Sequence, residues 1–237
     1  MAKPCTFEVQ EETNMPANRV TSEHPWHVVF LIDDSISMSS NGGSTAVNEA
    51  MQYMMDEMEQ RTKGLKPYFK ISIVSFGSDY QDVAVAKSEQ DIDTNHVTQF
   101  KGNSGTTNAA AALIRACEIL ESHPGRTTDF EPFVFFLSDG QPDNEALALQ
   151  AGDRLKAMTI ASGQPRVVTI GFGQVNDGFM RSLASNPEVY KRLQTADEIV
   201  HLLPAIGTIV GGGGSGGAQS ALVDIANTSV STIQGRL

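Results

Sequence analysis

Short continuous apolar runs alternate along this chain with stretches whose apolar positions recur every three or four residues. The run at 26–32 (WHVVFLI) has the pattern of a strand buried on both faces. A Gly/Ser stretch at 39–44 follows. Then Val47, Ala50, Met51, Met54, Met55 and Met58 recur at three and four, which predicts a helix with one apolar face. Methionine at helical spacing is read as core filler in preference to a binding stripe. Residues 69–76 (FKISIVSF) predict a second strand, and 83–86 a short edge strand close behind it. An Ala-rich helix at 109–120, a strand at 133–137, a helix at 145–160 and a strand at 166–170 come next. A short helix at 179–184, a last edge strand at 189–192 and a closing helix at 196–210 complete the body.

Strands alternating with helices at this spacing predict an α/β fold. The expected sheet is doubly wound and mostly parallel, with helices on both faces and one antiparallel edge strand. The body spans 25–210. Residues 1–24 have no sustained period and read as an N-terminal arm. The run 211–217 (GGGGSGG) reads as a flexible linker by composition, and 218–237 as a tail with a weakly amphipathic stretch. That stretch is expected either to lie against the body through Leu222, Val223 and Ile225, or to carry Asp224 to a site on the body as an internal ligand.

Charge and composition narrow the function classes. The 237 residues suffice for one large α/β domain, and 28 Asp+Glu against 17 Lys+Arg leave a net charge of -11. That balance argues against a phosphate-backbone partner, which requires clustered Lys and Arg, so no nucleic acid is expected. It is compatible with cation binding. Cys5 and Cys117 have no CxxC partner, so neither a disulfide framework nor a zinc knuckle is readable. No leader-like segment and no run long enough to span a bilayer appear, which gives the expectation of a cytoplasmic protein without a membrane partner.

Ligands of open α/β sheets collect at the carboxyl ends of the strands. After the first strand stand Asp33, Asp34, Ser35, Ile36 and Ser37, and after the strand at 133–137 stand Ser138, Asp139 and Gly140. Gly105, Thr106 and Thr107 precede the Ala-rich helix. Asp33, Ser35 and Ser37, spaced by two, can face one point from a non-helical turn. Carboxylates and hydroxyls suit Mg²⁺, and no softer ligand stands nearby. Each loop alone is an ordinary cap or turn; the three together, each beside its expected element, point to a metal site.

The set Asp33-x-Ser35-x-Ser37, Gly105-x-Thr107 and Ser138-Asp139-Gly140 resembles the metal-ion-dependent adhesion site of von Willebrand factor A domains. Residues 132–142 (PFVFFLSDGQP) look like the stand-alone bacterial tellurium-resistance (TerY-like) branch. The resemblance implies metal ligands at Asp33, Ser35, Ser37, Thr107 and Asp139. Thr107 is preferred over Thr106 because the family's Thr stands six residues before a helix Leu, here Leu113. It further implies Mg²⁺, with Mn²⁺ and Ca²⁺ as alternatives, and a partner protein that contributes an Asp or Glu to the metal. That partner is expected in a bacterial stress or signalling complex, sometimes alongside a kinase or phosphatase. On this reading the chain is an interaction module and not an enzyme. Two departures stand out: Ile36 replaces the usual Gly between the serines, and Asp34 adds a carboxylate expected to raise metal affinity or alter partner choice.

The alternative is a Mg²⁺-dependent receiver-like phosphoacceptor, since Asp33-Asp34 also resembles the acidic pair opening a receiver domain. Its phosphoacceptor Asp is missing from 73–78 (IVSFGS). Dehalogenase-type phosphatases need Asp-x-Asp, and Ser35 fills the second position. Gly171-Phe172-Gly173 lacks the third Gly of a dinucleotide loop, and the five histidines form no HExxH. A Ser/His/Asp triad has no GxSxG elbow in its support.

Overall fold

The computed structural model describes residues 20–211 and 217–227. Residues 1–19 of the expected arm (1–24), 212–216 of the expected linker (211–217) and 228–237 of the expected tail (218–237) lie outside the described residues. The strands are β1 (Trp26–Asp33), β2 (Phe69–Phe76), β3 (Tyr80–Ser88), β4 (Phe130–Ser138), β5 (Arg166–Gly171) and β6 (Tyr190–Arg192). They form one sheet in the order β3-β2-β1-β4-β5-β6. Only the β2–β3 pairing is antiparallel, as expected of the strand that follows directly on its neighbour. The order reverses between β1 and β4, so the loops after those two strands leave the sheet side by side.

All eight residues of β1 are buried, which is why its sequence shows no polar alternation. Val28, Phe30 and Ile32 point into one core layer and Val29 and Leu31 into the other. The first layer is closed by α2 (Gly43–Thr62), α7 (Glu198–Gly211) and α8 (Gly217–Asn227). The second is closed by α4 (Ala109–Ser122), α5 (Glu145–Ala157) and α6 (Asp177–Leu183). The methionine stripe of α2 is buried throughout, as its spacing predicts. At the amino end of β1 the Trp26 ring meets Phe69, Phe130, Phe133 and Phe135 edge-on, which seals the base of this layer.

Several boundaries differ from the sequence expectation. The Gly/Ser stretch is mostly helical: α1 (Ile36–Ser40) ends there and α2 begins there, with a turn between. One-turn α3 (Thr94–Val97) is too short to show a period. Helix α5 stops at Ala157 because Ile160 and Gly163 close a tight bridge just beyond it. Val189 belongs to a 3-10 turn (Pro187–Val189) that leads into β6. On the outer strand β3 the register shifts twice opposite Ile71, Ile73 and Val74, and Ala86 takes a positive φ of 48°. Its N–H turns in to the Ser72 hydroxyl at 2.9 Å.

Helix α8 docks through Leu222 and Ile225, whereas Val223 is 48% exposed. It packs on the 187–189 turn, on β4 and on α7, and Lys191 Nζ donates to the Ala226 carbonyl at 2.6 Å. A docked helix thus replaces the roaming segment on which an Asp224 ligand would depend. Among the described residues no helix is long and apolar enough to cross a membrane.

Candidate metal centre

Strand register brings the pieces together. Asp33 pairs with Phe76 at the end of β2, Ile32 with Leu137 of β4, and Ser138 with Gly171 of β5. The carboxyl ends of four strands are therefore level, and Asp33 and Ser138 stand next to each other. Asp33 is fully buried. Its Oδ1 accepts from the Ser35 N–H at 2.8 Å and its Oδ2 from the Ser138 hydroxyl at 2.5 Å. Burial pushes its carboxyl up to about 6, against the pull of the Ser138 and Ser35 hydrogen bonds, and the nearby Asp139 adds to the rise.

Ser35 stands at the N-cap of α1 in extended conformation, yet its hydroxyl makes no capping bond. It lies 3.1 Å from the Ser37 hydroxyl, which donates to Asp139 Oδ1 at 2.6 Å. Asn41 Nδ2, from the turn after α1, donates to Asp139 Oδ2 at 2.6 Å. Asp139 is 1% exposed. Four of the five candidates are thus joined through hydrogen bonds, with Ser138 as the link between Asp33 and the β4 loop.

Thr107 arrives from a third direction. Helix α4 is capped by the Asn108 side chain, so Thr107 is not spent on capping. Asp143 separates the two threonines: its carboxylate accepts from Thr106 Oγ1 at 2.6 Å and from the Thr107 N–H at 3.1 Å. Thr106 Oγ1 also lies 3.2 Å from the Ser78 hydroxyl. Thr107 Oγ1 instead faces Gly140, where an added Cβ would lie 3.4 Å from it and 3.5 Å from Ser37 Oγ. Glycine there leaves a space shared by hydroxyls of two different loops.

The two departures resolve differently. Ile36 is 60% exposed at the rim, and its N–H donates to the Gly105 carbonyl at 3.0 Å, so its bulk displaces no candidate ligand. Strand alternation points Asp34 to the opposite face from Asp33. Its carboxylate takes donors from Lys101, Gly102 and Ser104 and stands outside the cluster. The direct charge effect expected of it at the metal does not follow from this geometry.

The donor set suits a hard divalent cation: two carboxylates, three hydroxyls, no imidazole and no thiolate. Among the described residues no three His, Cys, Asp or Glu converge anywhere. Asp33 and Asp139, both buried, form no ion pair among the described residues. Two buried acids without a protein counter-ion are costly, and a cation would relieve that cost. Asn41 and Asp143 escaped the sequence reading. Neither carries a local signal: Asn41 lies in the Gly/Ser stretch, and Asp143 lies just beyond the 132–142 segment.

A doubly wound sheet carrying an oxygen-rich cluster at its switch point defines the class. The von Willebrand factor type A domain family matches residues 27–204, and this chain belongs to it. A comparison with curated proteins found no match. Among solved structures, the pilus adhesin SpaC from Lactobacillus rhamnosus GG superposes with a TM-score of 0.68 at 15% identity, over 84% of this chain and 33% of that one. Proximal thread matrix protein 1 from the mussel byssus, with a zinc-occupied site of this type, gives 0.58 at 18% identity, over 77% of this chain and 47% of that one. The manganese-loaded TRAP protein of Plasmodium vivax gives 0.57 at 23% identity, over 78% and 75% respectively. The alignment thus covers between a third and a half of the adhesin and the byssus protein. At these identities the likeness carries the fold.

Proposed function

We propose that this chain is a metal-dependent protein-interaction module. Asp33, Ser35, Ser37, Thr107 and Asp139 would hold a divalent cation, Mg²⁺ first, with Mn²⁺ and Ca²⁺ as alternatives. The cation supplies an electrophilic point at which an Asp or Glu of a partner protein can complete the coordination shell. Around it, Asp33 and Asp139 provide the negative charge, the hydroxyls provide neutral oxygens, and Asn41, Ser138 and Asp143 orient them. Two acids balance a dication and the hydroxyl ligands are neutral, so a partner carboxylate brings the site to a net charge of only about -1. The observation that carries this reading is the pair of buried carboxylates, Asp33 and Asp139, converging without an ion-pair partner. Metal occupancy in the byssus protein and in TRAP, both of this fold, supports it.

The hydroxyls of the cluster stand beside carboxylates and no imidazole, an arrangement of metal ligands more than of a nucleophile with its base, which favours a binding module over an enzyme. A role beside a kinase or phosphatase, as in the TerY-like branch, draws on the resemblance of residues 132–142. Thermal unfolding with and without Mg²⁺ or Mn²⁺ tests the site. The wild-type midpoint should rise with metal, because a ligand that binds only the native state stabilises it. Asp139→Ala should fold and lose that rise. An equal rise in the variant would remove Asp139 from the site.

A further inference from the structure

We infer that Asp34 is a positioning residue for this centre, fixing the 101–107 loop and thereby the place of Thr107; the inference rests on the metal reading above. Asp34 is 8% exposed at the end of β1. Its Oδ1 accepts from the N–H groups of Lys101 at 2.8 Å and Gly102 at 2.6 Å, and its Oδ2 from the Ser104 hydroxyl at 2.6 Å. Its carbonyl accepts from the Ser104 N–H at 2.9 Å, while its own N–H donates to Phe76 at 2.7 Å. One residue directly after β1 thus gathers four donors from a segment with no helix or strand of its own. Gly102, at a φ of 62°, lies so close to α1 that a Cβ would come within 2.3 Å of the Ser39 nitrogen. The loop is therefore pinned between Asp34 and α1 just before it delivers Thr106 and Thr107.

A ligating hydroxyl on an irregular segment is only as well placed as the segment itself, and the partners that orient ligands set much of a metal site's affinity. Both Asp34 oxygens are taken up by loop donors on the face away from Asp33. The carboxylate therefore acts through hydrogen-bond geometry. Asparagine can reproduce that geometry, its carbonyl serving the two N–H groups and its amide donating to a reoriented Ser104 hydroxyl. Alanine leaves all three donors without a partner.

The test is Mn²⁺ affinity, measured by electron paramagnetic resonance titration of the full chain well below its unfolding midpoint. It is combined with hydrogen exchange of the 101–107 amides in the absence of metal. Asp34→Ala should bind Mn²⁺ about 10- to 100-fold more weakly and exchange faster at Lys101, Gly102 and Ser104. Asp34→Asn should stay close to wild type on both readouts. In a Thr107→Ala background, Asp34→Ala should add no more than about twofold, because its effect runs through Thr107. Ser104→Ala, which removes a single bond, should show a smaller loss and serves if Asp34→Ala does not fold. Unchanged affinity in Asp34→Ala or, in its place, Ser104→Ala overturns the inference. So does an asparagine variant as weak as the alanine one, which would assign the effect to charge, or full additivity with Thr107→Ala. Failure of the wild type to bind Mn²⁺ would overturn the metal reading itself, whereas binding that ignores Asp34 overturns this inference alone.

Discussion

The Ser37 hydroxyl donates to Asp139 Oδ1 at 2.6 Å, across 102 positions of sequence, and so ties the loop after β1 to the loop after β4. Removing it deletes a candidate ligand and frees one Asp139 oxygen at the same time. Ser37→Ala is expected to weaken Mn²⁺ binding at least tenfold, while the metal-free protein loses only about 1 kcal/mol, the ordinary worth of one hydrogen bond. Titration calorimetry beside a denaturation curve separates the two. A large stability loss with unchanged affinity would make Ser37 a structural residue.

The two threonines should part company. Thr106 gives its hydroxyl to Asp143, whereas Thr107 turns its own toward Gly140 and Ser37. Thr107→Val should abolish the metal-induced rise in melting temperature, and Thr106→Val should retain most of it with a small drop in the metal-free midpoint. The reverse ranking would transfer the ligand role to Thr106.

Phosphoryl chemistry gives a sharp contrast. The strand beside β1 across the switch point is β4, and it ends at Ser138-Asp139, so Asp139 is the carboxylate a receiver-like mechanism would have to phosphorylate. Both its oxygens already take donors from Ser37 and Asn41. Incubation with acetyl phosphate and Mg²⁺ is expected to leave the intact mass unchanged. An added phosphoryl group that disappears in Asp139→Asn would establish the phosphoacceptor instead.

Acid sensitivity should trace to His27. His27 Nε2 lies 3.0 Å from the Ser72 hydroxyl, which also accepts from the Ala86 N–H. Burial lowers its pKa from 6.5 to about 3, with Lys70 and His123 adding to the fall. The unfolded chain then takes up a proton below about pH 6.5 that the native state refuses until about 3. The His27 contribution to stability is therefore full above that window and falls as pH drops through it, by roughly 1.4 kcal/mol per pH unit, while Asp33, raised to about 6, acts in the opposite sense below that value. Denaturant midpoints of wild type and His27→Gln at several pH values should converge toward acid by that one-proton slope. Parallel curves would clear His27 of the effect.

What the sequence disclosed was whatever is local. Asp33, Ser35 and Ser37 share one turn, so their spacing alone suggested a common target, and the fully buried β1 and the methionine face of α2 advertise themselves as uninterrupted or periodic apolar positions. Asp143 and Asn41 were hidden because their roles exist only once separate loops meet. Asp34 was legible as an extra acid but not as a loop anchor, since its direction is set by the alternation that β1 carries just past its last residue, Asp33. The end of α5 was overrun because Met158 and Ile160 continue the apolar pattern past the point where the backbone turns.

The kink in β3 also governs how copies of this molecule meet. A nine-residue outer strand offers a template for pairing with the same strand of another copy, the route by which open sheets aggregate. At Ala86, two residues before the strand ends, the positive φ and the inward N–H break that row of donors, and the opposite border is only the three residues of β6. Neither border presents a long regular ladder. Association by strand addition is disfavoured at both ends of the sheet.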